Sequence, residues 1–216
     1  MRITLFGATG NVGRRIAAEA LDRGHEVVGV VRDPAAVQTP DARIQLVRGD
    51  ATSAESVAEV VKGADAVVSA ISPRPNSRGL PAPRLEDNAR ALIAGLRTAG
   101  ISRVLFVGGA STLEVAPGQQ LLDQPNFPAA YKAEGIEGRE ALGVWRTEAD
   151  GLDWTFLSPA AEIAPGERTG TYRTTGEQLL ADAEGRSFIS FEDYAVAVLD
   201  ELERPQHVGR RFGVAY

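Results

Sequence analysis

One stretch, GATGNVG at residues 7–13, constrains what this chain can fold into more than any other. It follows the short apolar run ITLF (3–6) directly. It opens a segment in which Val12, Ile16, Ala20 and Leu21 recur at helical spacing. A glycine turn between a buried strand and a helix is suited to holding phosphate. Gly7 permits the tight turn, Gly10 lets the backbone come close to a pyrophosphate, and Gly13 lets the helix lie near the strand. The amides of Asn11 and Val12 then face the phosphates from the positive end of the helix. The alternative is a glycine-rich turn that holds no ligand. The order strand, glycines, helix weighs against it.

The rest of the chain repeats the strand–helix rhythm. Gly24 stops the first helix, and EVVGVV (26–31) and IQLV (44–47) follow as strands. A helical stretch over about 54–61 leads through Gly63 to a fourth strand, DAVVSAI (65–71). Leu85, Ala89, Leu92, Ile93 and Leu96 mark a helix ending at Gly100, and RVLFV (103–107) is a fifth strand. A long helix over about 129–148 precedes a sixth strand, DWTFL (153–157). Such alternation gives an α/β fold with a parallel sheet covered on both faces and right-handed crossovers. The expected fold is the Rossmann-type doubly wound sheet, strand order 3-2-1-4-5-6, in a single domain spanning residues 1–216.

After Leu157 the pattern changes. SPAAEIAPGERTGTYRTTGEQ, rich in Gly, Pro and Thr, reads as loop. QLLADAEGRSFIS reads as two short strands about an Asp-Ala-Glu-Gly turn. Ser190 and Asp193 then start a helix carrying Tyr194, Val196, Val198 and Leu199, and RRFGVAY is a final strand. Ligands of open α/β sheets sit at the carboxyl ends of the strands. Residues 158–216 are therefore expected to contribute a small C-terminal substrate lobe over that edge.

Composition excludes more than it identifies. The net charge of −6 argues against a nucleic-acid partner. No apolar run approaches the roughly 20 residues that span a membrane, so no membrane partner is expected. The chain runs from Met1 and Arg2 into a strand without a signal-peptide pattern, and it has no cysteine. Disulfides, thiolate catalysis and cysteine metal sites are thus ruled out, and a cytoplasmic location is expected. His25 and His207 stand apart, so no metal site is expected. No Gly-x-Ser-x-Gly elbow supports serine hydrolysis.

The glycine spacing is Gly-x-x-Gly-x-x-Gly, and here the chain resembles the atypical and extended short-chain dehydrogenase/reductases. VVRDP after strand two, RGD after strand three, GGAS after strand five and WTFLSPA after strand six are similar to the NmrA-like and biliverdin-reductase-B-like branch. The resemblance covers essentially the whole chain and implies an NAD(P)H-binding oxidoreductase. The end of strand two meets the adenosine ribose, where an acid binds the 2′-hydroxyl of NAD and an arginine accepts the 2′-phosphate of NADP. Both types occur, as Arg32 and Asp33. Asp33 precedes Pro34 and so has a capping role of its own, which favours NADP(H) through Arg32 and leaves NAD(H) open. The alternative for Arg32 is a solvated surface arginine. The resemblance also implies Asp50 and Ala51 at the adenine, Ala70, Ile71 and Ser72 along the ribose and phosphates, and Pro159 beside the nicotinamide carboxamide. Thr9 and Gly108 complete the expected cofactor contacts. For Asp50, an N-cap or Asx turn is an equal alternative.

Typical members of the resembled superfamily use Ser, Tyr and Lys, the last two as Tyr-x-x-x-Lys. This chain reads YKAEGIE, so Tyr131 and Lys132 are adjacent and point about 100° apart on a helix. The relay lysine is absent. Three candidates remain: Ser111 in GGAS, Lys132 at the start of the helix, and Tyr131 as a proton donor. Their alternatives are a loop-capping serine, a surface lysine and a pocket-lining ring. The leading expectation is an NADPH-dependent reductase of a small planar or carbonyl-bearing acceptor such as a flavin, quinone or tetrapyrrole. A second is an NmrA-type sensor that binds NADP(H) and a protein partner without turnover. A third is a sugar-nucleotide epimerase or dehydratase. The small-molecule substrate would sit among the loops at 72–83, 113–127 and 160–177.

Overall fold

The computed structural model describes residues 1–37, 41–74 and 83–216. The strands in chain order are β1 (Arg2–Phe6), β2 (Glu26–Val31), β3 (Gln45–Arg48), β4 (Ala66–Ser69), β5 (Arg103–Val107), β6 (Glu114–Ala116), β7 (Gln119–Gln120), β8 (Asp153–Ser158), β9 (Glu162–Ala164), β10 (Arg173–Thr175), β11 (Phe188–Ser190) and β12 (Arg210–Ala215). The α-helices are α1 (Asn11–Asp22), α2 (Ala54–Val60), α3 (Leu85–Ala99), α4 (Lys132–Glu148) and α5 (Phe191–Glu203).

Eight strands form one sheet in the order β10-β12-β8-β5-β4-β1-β2-β3. From β3 to β12 every neighbouring pair is parallel, and only β10 on β12 is antiparallel. The order 3-2-1-4-5-6 expected from the sequence is thus present as β3-β2-β1-β4-β5-β8, extended by β12 and capped by β10. Side chains alternate across the sheet with the strand period of two. Ile3, Leu5, Val68 and Leu105 face α1 and α5. Phe6, Val67, Val104 and Phe106 face α2, α3 and α4. The helices pair within each layer, α1 on α5 and α2–α3–α4 in a row.

Helix ends follow the local chemistry. Ser53 caps α2 by accepting from the Ser56 amide, and Ser190 caps α5 by accepting from the Asp193 amide. α3 ends on Gly100 at φ +72, a left-handed position that glycine takes without strain. The core beside α4 is aromatic. Phe106 stacks on Phe156 with centroids 5.4 Å apart, and Trp145 packs on Phe106 at 5.6 Å and on Trp154 at 6.1 Å.

The last quarter of the chain departs from the sequence reading in three ways. First, the stretch read as continuous loop contains β9 and β10. Second, of the two strands expected about the Asp-Ala-Glu-Gly turn, only β11 forms. The turn exists, with Asp182 Oδ1 accepting from the amides of Glu184 and Arg186. Its arms are drawn to different partners, however. Gln178 bridges to Glu114, while β11 pairs in parallel with β9. Third, α5 and β12, within the span read as a lobe, build the main sheet and its layer. The long helix also starts later than read: residues Ala129–Tyr131 form a 3-10 turn before α4.

Residues 165–172 are strapped onto α1 and α5. The Gly166 amide donates to Glu192, Arg168 pairs with Glu19, and Thr169 donates to the buried Asp193. Asp193 also accepts from the Gly170 amide and from the Tyr216 hydroxyl at 2.7 Å each. Burial pushes the Asp193 carboxyl up, but these hydrogen bonds outweigh it and hold it below the usual carboxylate range.

Candidate cofactor site and catalytic residues

β1, β2, β3, β4, β5 and β8 run parallel, so their carboxyl ends share one edge. Every residue singled out from the sequence for the cofactor or for catalysis lies along that edge or at the start of α4.

The glycine turn leaves β1 at its centre. Gly7 has φ +82, and a Cβ there would lie 2.5 Å from the Ala70 carbonyl oxygen. Gly13 is tighter still, since its Cβ would lie 2.0 Å from the Gly7 carbonyl oxygen. Both are demanded by packing: the turn rests on the exit of β4, and α1 rests on the turn. Gly10 is different. It is exposed, has φ −74, and its Cβ would meet nothing closer than the Gly7 oxygen at 3.3 Å. It stands at the N-cap of α1 with no side-chain cap, and the first turn holds no acid. The first amides of α1, at Asn11 and Val12, therefore meet no capping side chain. An uncapped helix end beside an open glycine fits an anion such as a pyrophosphate. Thr9 is exposed on the same turn.

On the β2–β3 flank, Asp33 caps the 3-10 turn Pro34–Ala36, its side chain accepting from the Ala35 amide. The structural role expected for it is thus present. Arg32 is exposed at the end of β2. Asp50 forms an Asx turn, Oδ1 accepting from the amide and the hydroxyl of Thr52. Those two bonds, with the nearby Arg32 charge adding to them, hold its carboxyl below the usual range. The arginine and the aspartate read from the sequence therefore share one electrostatic environment.

Asn88, which the sequence reading passed over, ties this flank to the next. It is fully buried in α3. Its Oδ1 accepts from the Ser69 hydroxyl at 2.7 Å, and its Nδ2 donates to the Ala51 carbonyl at 2.8 Å. The available signal was an asparagine inside a helix, a position that residue type disfavours without a bonding task.

Ala70, Ile71 and Ser72 leave β4, the first two half-buried and Ser72 exposed. The proposed pocket loop at 72–83 falls largely on residues 75–82, which lie outside the described residues. After β5, a Cβ on Gly108 would sit 1.9 Å from the Phe156 ring, so the aromatic core alone demands a glycine there. The Gly108 amide donates to the Leu157 carbonyl and ties the β5 exit to β8, where Pro159 is buried.

Ser111 lies in a 3-10 turn, 9% exposed, and donates to the Gly135 carbonyl of α4 at 3.4 Å. Gly135 lets α4 press on it: a Cβ there would come 3.1 Å from Ser111 Cβ and 2.6 Å from the Leu122 side chain. Tyr131 is 49% exposed at the N-cap of α4, and Lys132, the first helical residue, is exposed. Arg74, also passed over, reaches across from the β4 exit. It forks onto Glu134 and places its guanidinium 5.2 Å from the Tyr131 ring centre. The structure thus gathers Ser111, Tyr131, Lys132, Glu134 and Arg74 around the start of α4, but it builds no Tyr–Lys relay.

The two histidines precede β2 and β12, at the amino edge of the sheet. Each bonds to a glutamate of α5, His25 to Glu203 and His207 to Glu201, both at 2.8 Å. Among the described residues no group of three or more His, Cys, Asp or Glu is placed to hold a metal. No helix among them is long and apolar enough to cross a membrane.

Comparison with known proteins agrees with this fold. A family model described as NAD(P)H-binding matches residues 7–205. An uncharacterized Bacillus subtilis protein, YwnB, is 41% identical over 99% of this chain and 98% of its own length. A Burkholderia pseudomallei crystal structure, described as a proposed exported protein, superposes with a TM-score of 0.89. It is 47% identical and covers 100% of both chains. A Streptococcus pneumoniae structure, described as a proposed NADH-flavin reductase, superposes with a TM-score of 0.85 at 32% identity, covering 100% of this chain and 99% of that one. The matched span takes in the glycine turn, the strand exits and the start of α4, and the chain belongs to the NAD(P)H-binding family.

Proposed function

We propose that this chain is an NADPH-dependent reductase of a small planar or carbonyl-bearing acceptor. The observation that carries the reading is the uncapped α1 N-terminus behind the open Gly10. It supports a pyrophosphate at the centre of the sheet edge, with one half of the cofactor over the β2 and β3 exits and the other over β4, β5 and β8. The Asn11 and Val12 amides would hold the pyrophosphate, and Arg32 would take the 2′-phosphate. Asp50 and Ala51 would meet the adenine, and Asn88 fixes the Ala51 carbonyl from behind. Ala70, Ile71, Ser72 and Pro159 would line the remainder. When bound, the nicotinamide supplies a hydride, and the protein supplies placement and electrostatics.

Ser111 is a polar group on that side, in the turn after β5. Its bond to Gly135 is long for a hydroxyl donor, so the hydroxyl is easily redirected to an acceptor atom. It would hold the acceptor and steady charge as the hydride arrives, with the proton drawn from solvent. Tyr131 and Lys132 would form the outer wall.

The sensor reading has one observation in its favour: Tyr131 and Lys132 stand adjacent and exposed, without the spacing that a proton relay needs. The test is sequential. NADPH binding is confirmed by fluorescence, and NADPH oxidation is then followed with FMN, biliverdin, a quinone and an aldehyde. Turnover with any of them is the expected result. Tight binding with no turnover would transfer the assignment to the sensor.

A further inference from the structure

We propose that Arg211 is a positioning residue for Ser111: through Thr112 it fixes the turn that presents the serine hydroxyl, and Glu177 is the carboxylate that keeps it in place. The proposal rests on the reductase reading, in which Ser111 meets the acceptor. Three observations carry it. The first is a buried charge. The Arg211 side chain, in β12, is 1% exposed, and among the described residues no other arginine or lysine is buried. Its Nε has no hydrogen-bond partner. A guanidinium loses more on leaving water than an apolar side chain of similar length would. What Arg211 contributes is therefore the bonds it makes. The second observation is where they go. Nη1 donates to the Thr112 hydroxyl and Nη2 to the Thr112 carbonyl, both at 3.3 Å. Thr112 is itself buried and follows Ser111 in the 3-10 turn Ala110–Thr112. The Leu113 amide closes that turn by donating to the Ala110 carbonyl at 2.9 Å. A planar fork holding Thr112 at two points thus sets the whole turn, Ser111 included.

The third observation is the counter-charge. Arg211 Nη2 also pairs with Glu177, and the same carboxylate accepts from Arg146 of α4 at 2.7 Å. β10 runs antiparallel to β12 with Thr175 opposite Gly213, and continuing that register brings Glu177 level with Arg211. The Glu177 carbonyl accepts from the Glu114 amide, and the Leu179 amide donates to the Glu114 carbonyl, at 2.8 Å each, so the backbone on both sides of the carboxylate is tied to β6. Burial pushes the Glu177 carboxyl up, but the two arginines outweigh it and hold it below the usual carboxylate range. α4 is also the helix whose Gly135 carbonyl accepts from Ser111. One carboxylate therefore joins β12 and α4, the two elements that grip the Ser111 turn, and a change in that ion pair would be felt at the serine hydroxyl.

The test is a double-substitution cycle on the full chain. NADPH oxidation is followed with whichever of FMN, biliverdin, a quinone or an aldehyde turns over, and NADPH affinity is measured in parallel by fluorescence. Arg211→Lys keeps the charge and loses the fork, Arg211→Met loses both, and Glu177→Gln removes the counter-charge at a half-exposed position. Each is expected to lower kcat/KM by about tenfold, the scale of a charged hydrogen bond, with NADPH affinity within about twofold of the unmodified protein. In a Ser111→Ala background the same substitutions should cost less than about twofold, because the group they act through is gone. A merely structural role would give losses of equal size with and without Ser111, and that result would overturn the proposal. So would an Arg211→Met variant with unchanged kcat/KM. If Arg211→Met does not fold, Glu177→Gln carries the same comparison. Ser111→Ala turning over at the unmodified rate would overturn the positioning role and leave the reductase reading standing. No NADPH oxidation with any acceptor would overturn the reductase reading and the proposal with it.

Discussion

The same substitution at two glycines of the turn should produce opposite failures. Gly13→Ala places a methyl 2.0 Å from the Gly7 carbonyl oxygen. To restore ordinary contact, α1 must retreat by more than about 1 Å, and overpacking of this kind costs about 1–3 kcal/mol. The retreat loosens Ile16, Ala17, Ala20 and Leu21, all buried beneath α1. In a chain of this size the loss corresponds to a melting temperature lower by roughly 2–12 °C. Gly10→Ala meets only a 3.3 Å contact at φ −74, a conformation alanine adopts freely. Its stability should change by less than about 1 kcal/mol. The new methyl, however, occupies the space where the pyrophosphate would approach, and NADPH affinity should fall by about tenfold or more, equivalent to about 1.4 kcal/mol. Thermal melts and NADPH fluorescence titrations of the two variants separate folding from binding. A Gly10→Ala variant that binds NADPH as well as the unmodified protein would refute the cradle. A Gly13→Ala variant with an unchanged melting temperature would refute the close seating of α1.

Three further outcomes are expected. Arg32→Ala should weaken NADPH binding about tenfold or more, the scale of a charged hydrogen bond, and leave NADH binding within about twofold; a parallel loss of both would show that Arg32 does not meet the 2′-phosphate. Trp145→Ala removes a side chain that is 1% exposed and packed on Phe106 and Trp154, and should cost about 3–5 kcal/mol in denaturant melts; a loss below about 1 kcal/mol would contradict the packing. Asp193 has a depressed carboxyl in the folded chain. Its contribution is therefore complete above the unfolded value near 4 and disappears as pH falls through the lower folded value. Asp193→Asn should cost about 2 kcal/mol at neutral pH, and its melting deficit should shrink below about pH 4; a deficit independent of pH would refute the assignment.

The sequence disclosed the parts of the fold that depend on local pattern. Apolar runs placed β1, β2, β5 and β8 nearly to the residue, and Ser190 with Asp193 marked the α5 cap, because a strand core or a helix cap is written within a few neighbouring residues. It did not disclose pairings between distant segments. Nothing in residues 178–190 says that one arm of the Asp182 turn will join Glu114 and the other Glu162. The site divides in the same way. Gly7, Gly10 and Gly13 were legible because turn and helix follow one another along the chain. Arg74 and Asn88 were not, because each acts on a residue brought to it by the sheet, Arg74 on Glu134 and Asn88 on Ser69 and Ala51. Gly108 shows a related difficulty: read as a cofactor contact, it is also required by the Phe156 ring.

The place of β1 in the middle of the sheet has a consequence for how the protein holds together. In the sheet, one flank, β2 and β3, and the other, β4, β5 and β8, are joined through β1, and at this edge Gly7 rests on Ala70 and Asn88 links Ala51 to Ser69. A dinucleotide laid across that seam would act as a further staple between the two halves of the sheet, beside the helix packing of α2 on α3 and the Asn88 bonds. By mass action, a ligand present at a hundred times its dissociation constant adds about 2.7 kcal/mol to the folded state. Here that gain should be concentrated at the seam, so amides along the β1–β4 register would exchange more slowly once the cofactor is present, while the amino edge around His25 and His207 would exchange as before.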